Sequence, residues 1–387
     1  MKLFQRLLVA PATLGLLAPL SANANEVNLN EINTYSDVES IEFANSFNDE
    51  ESRVNTLLAG GEGLVDDHDH GSEDSFSSTT SASFSVDMAI GALDGGATEK
   101  VSSAYGYQID LSTSFTGEDA LSVSLDAGAG AADLGELDLN SSGDGLIVDG
   151  ITYSFPLGEK ATILVGDSTD GSALYSTACV YGGFTNTLDD CGNYSTAFTT
   201  TGATSAGFSA SYDIGNGFTG AIGYAGAGTG EGFMTAEGTD YYGAQIAYAA
   251  DSFGFSVTYA NLEDVVATDP TTDATGWGFN GYYTPDGSLP SISVGYELGD
   301  TDSDAVGDTS QWFVGLQWDE AGPGTLGIAA GSKGPIVEDA EELMAYEAFY
   351  SYPVNDGMTI TPAVFLLENA EGTDDQTGFV VKTSFSF

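Results

Sequence analysis

This sequence predicts an all-β fold, a transmembrane antiparallel up-and-down β-barrel of about 16 strands, and three observations carry the prediction. From about Phe76 onward, large apolar residues recur with a period of two, the alternation of strands that have one apolar and one polar face. The connections between these segments alternate between short turns and longer linkers. Tyr and Phe, 19 and 21 residues, gather at strand ends, where a membrane barrel places aromatic girdles at its two water boundaries.

The elements follow in order. The chain opens MKLFQRLLVAPATLGLLAPLSANANEV. Lys2 and Arg6 form a basic start, Leu7 to Leu20 an apolar run broken by Pro11, Gly15 and Pro19, and Ala22-Asn23-Ala24 a cleavage site. Residues 1–24 therefore read as a secretory signal peptide. A membrane anchor is the alternative, and the run is short for a bilayer core of roughly 30 Å. No other segment approaches 18 consecutive apolar residues, so no transmembrane helix is expected. Residues 25–75 are acidic, with weak helical patterning around SDVESIEFANSF and a Gly- and Asp-rich end. They read as a largely unstructured periplasmic extension.

Residues 76–387 carry the strands. Tyr105, Tyr107, Ile109 and Leu111 share one face, then Ile151, Tyr153, Phe155 and Leu157, then Phe208 and Tyr212, then Phe218, Ile222 and Tyr224. Further sets are Tyr242, Ile246 and Tyr248; Phe253, Phe255, Val257 and Tyr259; Trp277, Phe279 and Tyr283; Ile292, Val294, Tyr296 and Leu298; Trp312, Val314, Leu316 and Trp318. Gly, Ser, Thr, Ala, Gln and Asn lie between them. Short turns sit at TGED, PLGEK, DIGNG, AADS, TPDGSLP, DEAGPG and PVNDG. Long linkers include DLGELDLNSSGDG, the cysteine loop, NLEDVVATDPTTDA and SKGPIVEDAEEL. One smooth rim and one looped rim is the layout of an outer-membrane barrel, and an even strand number suits two ends on the same side. The final strand, FVVKTSFSF, puts Phe379, Val381, Phe385 and Phe387 on one face and Lys382, Ser384 and Ser386 on the other; it is expected to close the sheet against the first strand, with lipid over its apolar face. The soluble alternatives are a β-sandwich and a β-solenoid. The first has little use for so many aromatics at strand ends, and the second would show GGxGxDx repeats, which do not occur.

With 58 acidic against 7 basic residues, the net charge is −51. Nucleic acid and anionic lipid headgroups are excluded as partners by Coulomb repulsion, and inorganic cations are the natural counterions. The two cysteines, Cys179 and Cys191, belong to an exported chain and are expected to form a disulfide. No CxxC pattern is present.

Several stretches, in order, resemble cyanobacterial OprB-type outer-membrane porins, a family also described as carbohydrate-selective or iron-uptake porins. They are DSFSSTTSASFSVDMAIGAL, YQIDLSTSFTGEDALSVSLDAG, GITYSFPLGEKATILVGD, QWFVGLQWDEAGPGTLGIAAGSK and YEAFYSYPVNDGMTITPAVFLLE followed by GFVVKTSFSF. The leader is similar to those of marine picocyanobacterial members. The resemblance implies an outer-membrane location and passive passage of sugars, iron species or ions. It also implies contact with outer-membrane lipid, and a homotrimer is an assembly expected of porins of this size. Phe387 looks like the terminal aromatic signal read by barrel-assembly machinery. The S-layer-homology module and coiled coil of typical members have no room in residues 25–75, so a tether to the cell wall is not implied.

A porin works by electrostatics at a water-filled constriction. The candidate pore-lining carboxylates are Asp110, Asp126, Asp149, Asp213, Glu297 and Glu347, all but Asp149 opposite in parity to their apolar neighbours; the bland alternative is that they solvate the lumen wall. With them, an acidic pore is expected to prefer cations. Loop acids such as Asp189, Asp190, Asp300, Asp302, Asp304, Glu338, Asp339, Glu341, Glu342, Asp374 and Asp375 read as a negative vestibule. In DDHDHG, His68 and His70 sit beside Asp66, Asp67 and Asp69, but the spacing fits no rigid metal site, and no cofactor is expected. These are the only histidines and lie outside the barrel segment, which excludes a Ser–His–Asp hydrolase in the wall; GxxxxGK[ST] is absent. The chain is expected not to be an enzyme. Its rivals to a porin are a closed barrel acting as a structural or adhesive surface protein, and a secreted acidic binding protein.

Overall fold

The structure, a computed structural model, describes residues 80–95, 100–130, 134–137, 139, 143–189, 191, 206–227, 239–263, 273–302, 307–337, 340–370 and 373–387. The signal segment, the acidic extension with His68 and His70, and the loop acids Asp190, Asp304, Glu338 and Asp339 lie outside the described residues.

The strands are β1 (Thr80–Asp94), β2 (Ser102–Thr113), β3 (Ala120–Ala129), β4 (Ile147–Leu157), β5 (Ala161–Asp167), β6 (Ala206–Gly215), β7 (Phe218–Ala227), β8 (Thr239–Ala249) and β9 (Phe253–Leu262). They continue as β10 (Ala274–Tyr283), β11 (Ser291–Thr301), β12 (Asp308–Ala321), β13 (Gly324–Ser332), β14 (Ile336–Val337), β15 (Met344–Asn355), β16 (Met358–Leu367) and β17 (Gln376–Ser386). Each of the long strands pairs antiparallel with its sequence neighbours, and β17 pairs with β1 along Asp94↔Thr377 to Ser85↔Ser386. The two-residue β14 only continues the ladder beside β12 after a break that follows β13. The result is a closed up-and-down barrel of 16 strands with no free edge, the solution that leaves no backbone donor or acceptor unpaired in lipid.

The closing seam answers what becomes of the last residue. Phe387 exchanges two backbone hydrogen bonds with Phe84, at 2.9 and 3.0 Å, and the two rings stack with centroids 5.6 Å apart. The seven connections β2–β3, β4–β5, β6–β7, β8–β9, β10–β11, β12–β13 and β15–β16 are short and share one rim with this seam end; the longer connections share the other. Between β6 and β7 the turn is Asn216-Gly217, with φ of 54° and 84°, the left-handed pair that matches the twist of a two-residue hairpin.

Period two sorts the side chains. Ile222, Ile246, Phe255, Tyr259, Trp277, Phe279, Val294, Tyr296, Leu298, Val314 and Ile328 all face outward and are exposed. Such a belt, running over successive strands, is far larger than the few hundred Å² of contiguous apolar surface a soluble monomer tolerates. Lipid is the solvent that accommodates it.

On the short rim, the β2–β3 turn is fastened by Asp119. Its carboxylate accepts hydrogen bonds from the Phe115 and Thr116 amides at 2.9 and 2.8 Å and from the Tyr153 hydroxyl at 2.7 Å. The Tyr153 bond, followed by those from Thr116 and Ser114, holds the carboxyl below the usual carboxylate range and outweighs the opposing effect of desolvation. A depressed folded value means that the stabilisation is complete above the ordinary value of about 3.9 and is lost as pH falls through the depressed one. Asp119→Asn is therefore expected to lower the thermal midpoint at pH 7 and to narrow its gap from wild type as the pH falls towards 2. Melting both proteins in detergent across that range checks it; a gap that widens towards acid contradicts the assignment.

Candidate functional site: the barrel lumen

The inward face is built differently from the outward one on the two sides of the barrel. On β2–β4 it carries Gln108, Asp110, Ser122, Ser124 and Thr152, all half-buried. Asp110 accepts hydrogen bonds from Gln108 at 2.9 Å and Ser124 at 2.7 Å. On β12–β17 it carries Phe313, Phe349, Phe365, Leu367 and Val380, all buried. Apolar side chains on the lumen side of a barrel need a cover, and the chain supplies one from its own loops.

The cover is residues 168–189 with Cys191, which follow β5 and run around the inner wall. A buried loop must satisfy its own backbone donors, and the wall presents an acceptor at each step. The Leu174 amide donates to Ser209 on β6 at 3.2 Å. Ser176 exchanges two bonds with the Gln245 amide on β8, 2.7 and 2.9 Å. The Val180 and Tyr181 amides donate to Ser293 on β11, 3.1 and 3.2 Å, and the Gly182 amide to Gln317 on β12, 2.9 Å. Near the start of this path, Gly223 on β7 must be glycine: a Cβ there would lie 1.8 Å from the Gly171 carbonyl oxygen.

The path ends on Glu347 of β15. Its Oε1 accepts from the Tyr181 hydroxyl at 2.7 Å and the Phe184 amide at 2.9 Å. Its Oε2 accepts from the Thr185 amide at 2.9 Å and the Thr185 hydroxyl at 2.6 Å. The Lys382 ammonium of β17 lies 5.6 Å from the Phe184 ring centroid, a cation–π distance. Tyr181 and Phe184 then pack into one apolar cluster with Leu188, Phe313, Phe349, Phe365, Leu367 and Val380. A second stretch joins them: Leu134, Leu137 and Leu139 are buried in the same cluster, and Glu136 accepts from the Asn186 amide at 2.9 Å and the Thr187 hydroxyl at 2.7 Å. Cys179 and Cys191 are joined in a disulfide, Cα atoms 6.1 Å apart, which closes the part of the segment that holds Tyr181, Phe184 and Thr185.

The six candidate carboxylates occupy four kinds of place. Asp110 is half-buried on the polar side, and Asp126 is buried next to it at Gln108↔Asp126. Asp149 lies at the bulge where β3 and β4 shift register, half-buried. Asp213 is at the short rim, exposed, and caps the β6–β7 turn through Gly215 at 2.8 Å. Glu297 and Glu347 are each 3 % exposed, Glu297 opposite Gln311 and Glu347 beneath the lumen segment. Of the loop acids, Glu342 accepts from the Trp312 indole at 2.7 Å and Asp375 from the Asn369 amide at 3.1 Å. Among the described residues no group of three or more His, Cys, Asp or Glu is placed to hold a metal ion.

Sequence reasoning did not find Tyr181, Phe184, Thr185, Glu136 or the wall acceptors Ser209, Gln245, Ser293 and Gln317. One signal was present: VYGGF is an aromatic-rich stretch inside a long connection, where exposed linkers are ordinarily polar.

The closed 16-strand up-and-down barrel is the fold of porins, and solved bacterial porins share it with this chain. OprB of Pseudomonas putida superposes with a TM-score of 0.60 at 12% identity, covering 80% of this chain and 94% of that one. The anion-selective porin from Comamonas acidovorans gives 0.59 at 15%, covering 80% and 99%. A loop-deleted OmpT of Vibrio cholerae gives 0.58 at 11%, covering 80% and 99%. At these identities the likeness is one of fold. No protein-family model and no curated protein matches the chain.

Proposed function

We propose that this chain is an outer-membrane porin that lets small hydrophilic solutes and inorganic ions diffuse passively, with a preference for cations. The observation that carries the reading is the pairing of an apolar outer belt with a lumen that keeps a polar, carboxylate-bearing side on β2–β4 while a loop covers the other. The solved porins of like fold support the location and the channel. Asp110, with Asp149 at the bulge, is set to act on permeating ions, Asp126 being buried, and the negative field of the whole chain acts in the same direction. The stretches similar to cyanobacterial OprB-type porins support sugars or iron species as further solutes. In this reading residues 1–24 are removed on export, residues 25–75 lie in the periplasm, Phe387 guides insertion by barrel-assembly machinery, and the barrels associate as homotrimers.

Conductance of the refolded protein in a planar bilayer under a KCl gradient tests it. Discrete steps with a reversal potential of cation-selective sign are expected, and Asp110→Asn with Asp149→Asn is expected to move that potential towards zero. Anion selectivity would leave the pore standing and sink the electrostatic argument. Folded protein that carries no current would shift the function to the outer loops, as in a structural or adhesive barrel.

A further inference from the structure

We infer that Glu347 is the receptor that holds the lumen segment against the wall, so that this one side chain sets the width of the channel. The inference rests on the pore reading for its effect on flux; the holding itself does not. A carboxylate that merely lent charge to the lumen would face water. Glu347 is buried, and both its oxygens are taken by the segment: a hydroxyl and an amide on one, an amide and a hydroxyl on the other. The donors come from Tyr181, Phe184 and Thr185, a single turn of chain. They also lie within the ring closed by Cys179 and Cys191, which limits how far that turn can spread. The ends of that ring reach the wall separately, through Ser293 and Gln317 to one side and Leu188 to the other. The wall acceptors before Glu347 are neutral Ser and Gln side chains, and hydrogen bonds to a charged acceptor are the stronger kind. Glu347 is the anionic end of the chain of contacts, and releasing it frees the aromatic pair Tyr181 and Phe184 from the cluster.

The test uses the full protein, folded in detergent, and substitutes Glu347 three ways. Alanine removes all four bonds. Glutamine keeps one carbonyl oxygen for Tyr181 and Phe184 but offers Thr185 no acceptor. Aspartate keeps the charge on a side chain one methylene short. The first readout is the rate at which a water-soluble phosphine reduces the Cys179–Cys191 bond, water giving its oxygen to the phosphine, which leaves as the oxide, and its two protons to the sulfurs, which become thiols. Cys191 is buried and Cys179 is half-buried against the same cluster, so attack on the bond is limited by that packing, and this rate follows release of the segment and needs no ion flow. Glu347→Ala is expected to speed it roughly tenfold or more, the worth of even one lost bond to a charged group; Glu347→Asp should behave like it, and Glu347→Gln should fall between. The second readout is the largest neutral polyethylene glycol that enters the channel and lowers its conductance, expected to rise in the same order.

Reduction at the wild-type rate in Glu347→Ala overturns the inference. So does an unchanged polymer limit with ion selectivity altered alike in the Ala and Gln variants and not in Asp, which would mean that Glu347 acts by charge alone. If Glu347→Ala does not fold, the Gln and Asp variants decide: faster reduction in both supports the holding role, and wild-type rates in both refute it. Ordered reduction rates without current in any variant would uphold the holding role and refute the pore reading instead.

Discussion

An arginine at Val294 is expected to block assembly of the barrel in lipid, whereas an arginine at Ser122 is expected to be tolerated. Val294 is an inner position of β11, 44 % exposed, on the outward face between Ile292 and Tyr296. A charge on the lipid face of a barrel costs about 2–4 kcal/mol near the bilayer midplane and less towards the interfaces. Net stabilities of folded chains are only about 5–15 kcal/mol, so one such charge removes a large share. Ser122 stands on the inward face of β3, half-buried, two pairs along the ladder from Asp110↔Ser124. An arginine there meets water and a carboxylate. The yield of the gel-mobility-shifted, unboiled form after folding into lipid vesicles measures the difference. Equal yields from the two variants would contradict the assignment of the β11 outer face to lipid.

Truncation of Phe313 to alanine is expected to cost about 3–5 kcal/mol, the range for a large buried aromatic. Phe313 is 1 % exposed on the inner face of β12, and its ring centroid lies 5.4 Å from that of Tyr181 in a tilted arrangement. Removing it opens a cavity where wall and lumen segment meet, and neither side can collapse freely because both are tied by hydrogen bonds to neighbouring positions. The adjacent Val314 points outward to lipid. Val314→Ala should cost much less, since acyl chains fill the space that the methyl groups leave. Urea unfolding of both variants in the same vesicles gives the comparison. A smaller loss at Phe313 than at Val314 would mean that the apolar inner face contributes little to the fold.

The strands, their two faces and the alternation of turns were legible in the chain because a barrel repeats one simple rule. Each strand needs an apolar face for lipid and a different face for the interior, and period two records that choice residue by residue. The order of strands is also simple, each next to its predecessor, so short connections such as DIGNG at β6–β7 suffice to write the topology. The same rule gave the parity of Asp110, Glu297 and Glu347. It did not explain Phe313, Phe349, Phe365 and Val380 on the inward face, since period two states which way a side chain points and says nothing of what lies against it.

What lies against it was decided only when the ring closed. Closure turns the inner face of the wall strand β15 towards the segment after β5, so that Thr185 meets Glu347 across 162 residues of sequence. No local pattern encodes a contact of that span, because neither partner's strand or loop chemistry depends on the other. Sequence by itself determined a closed, acidic, lipid-facing barrel. Tertiary structure determined which half of its lumen is covered, and that Glu347 spends its charge on holding the cover in place.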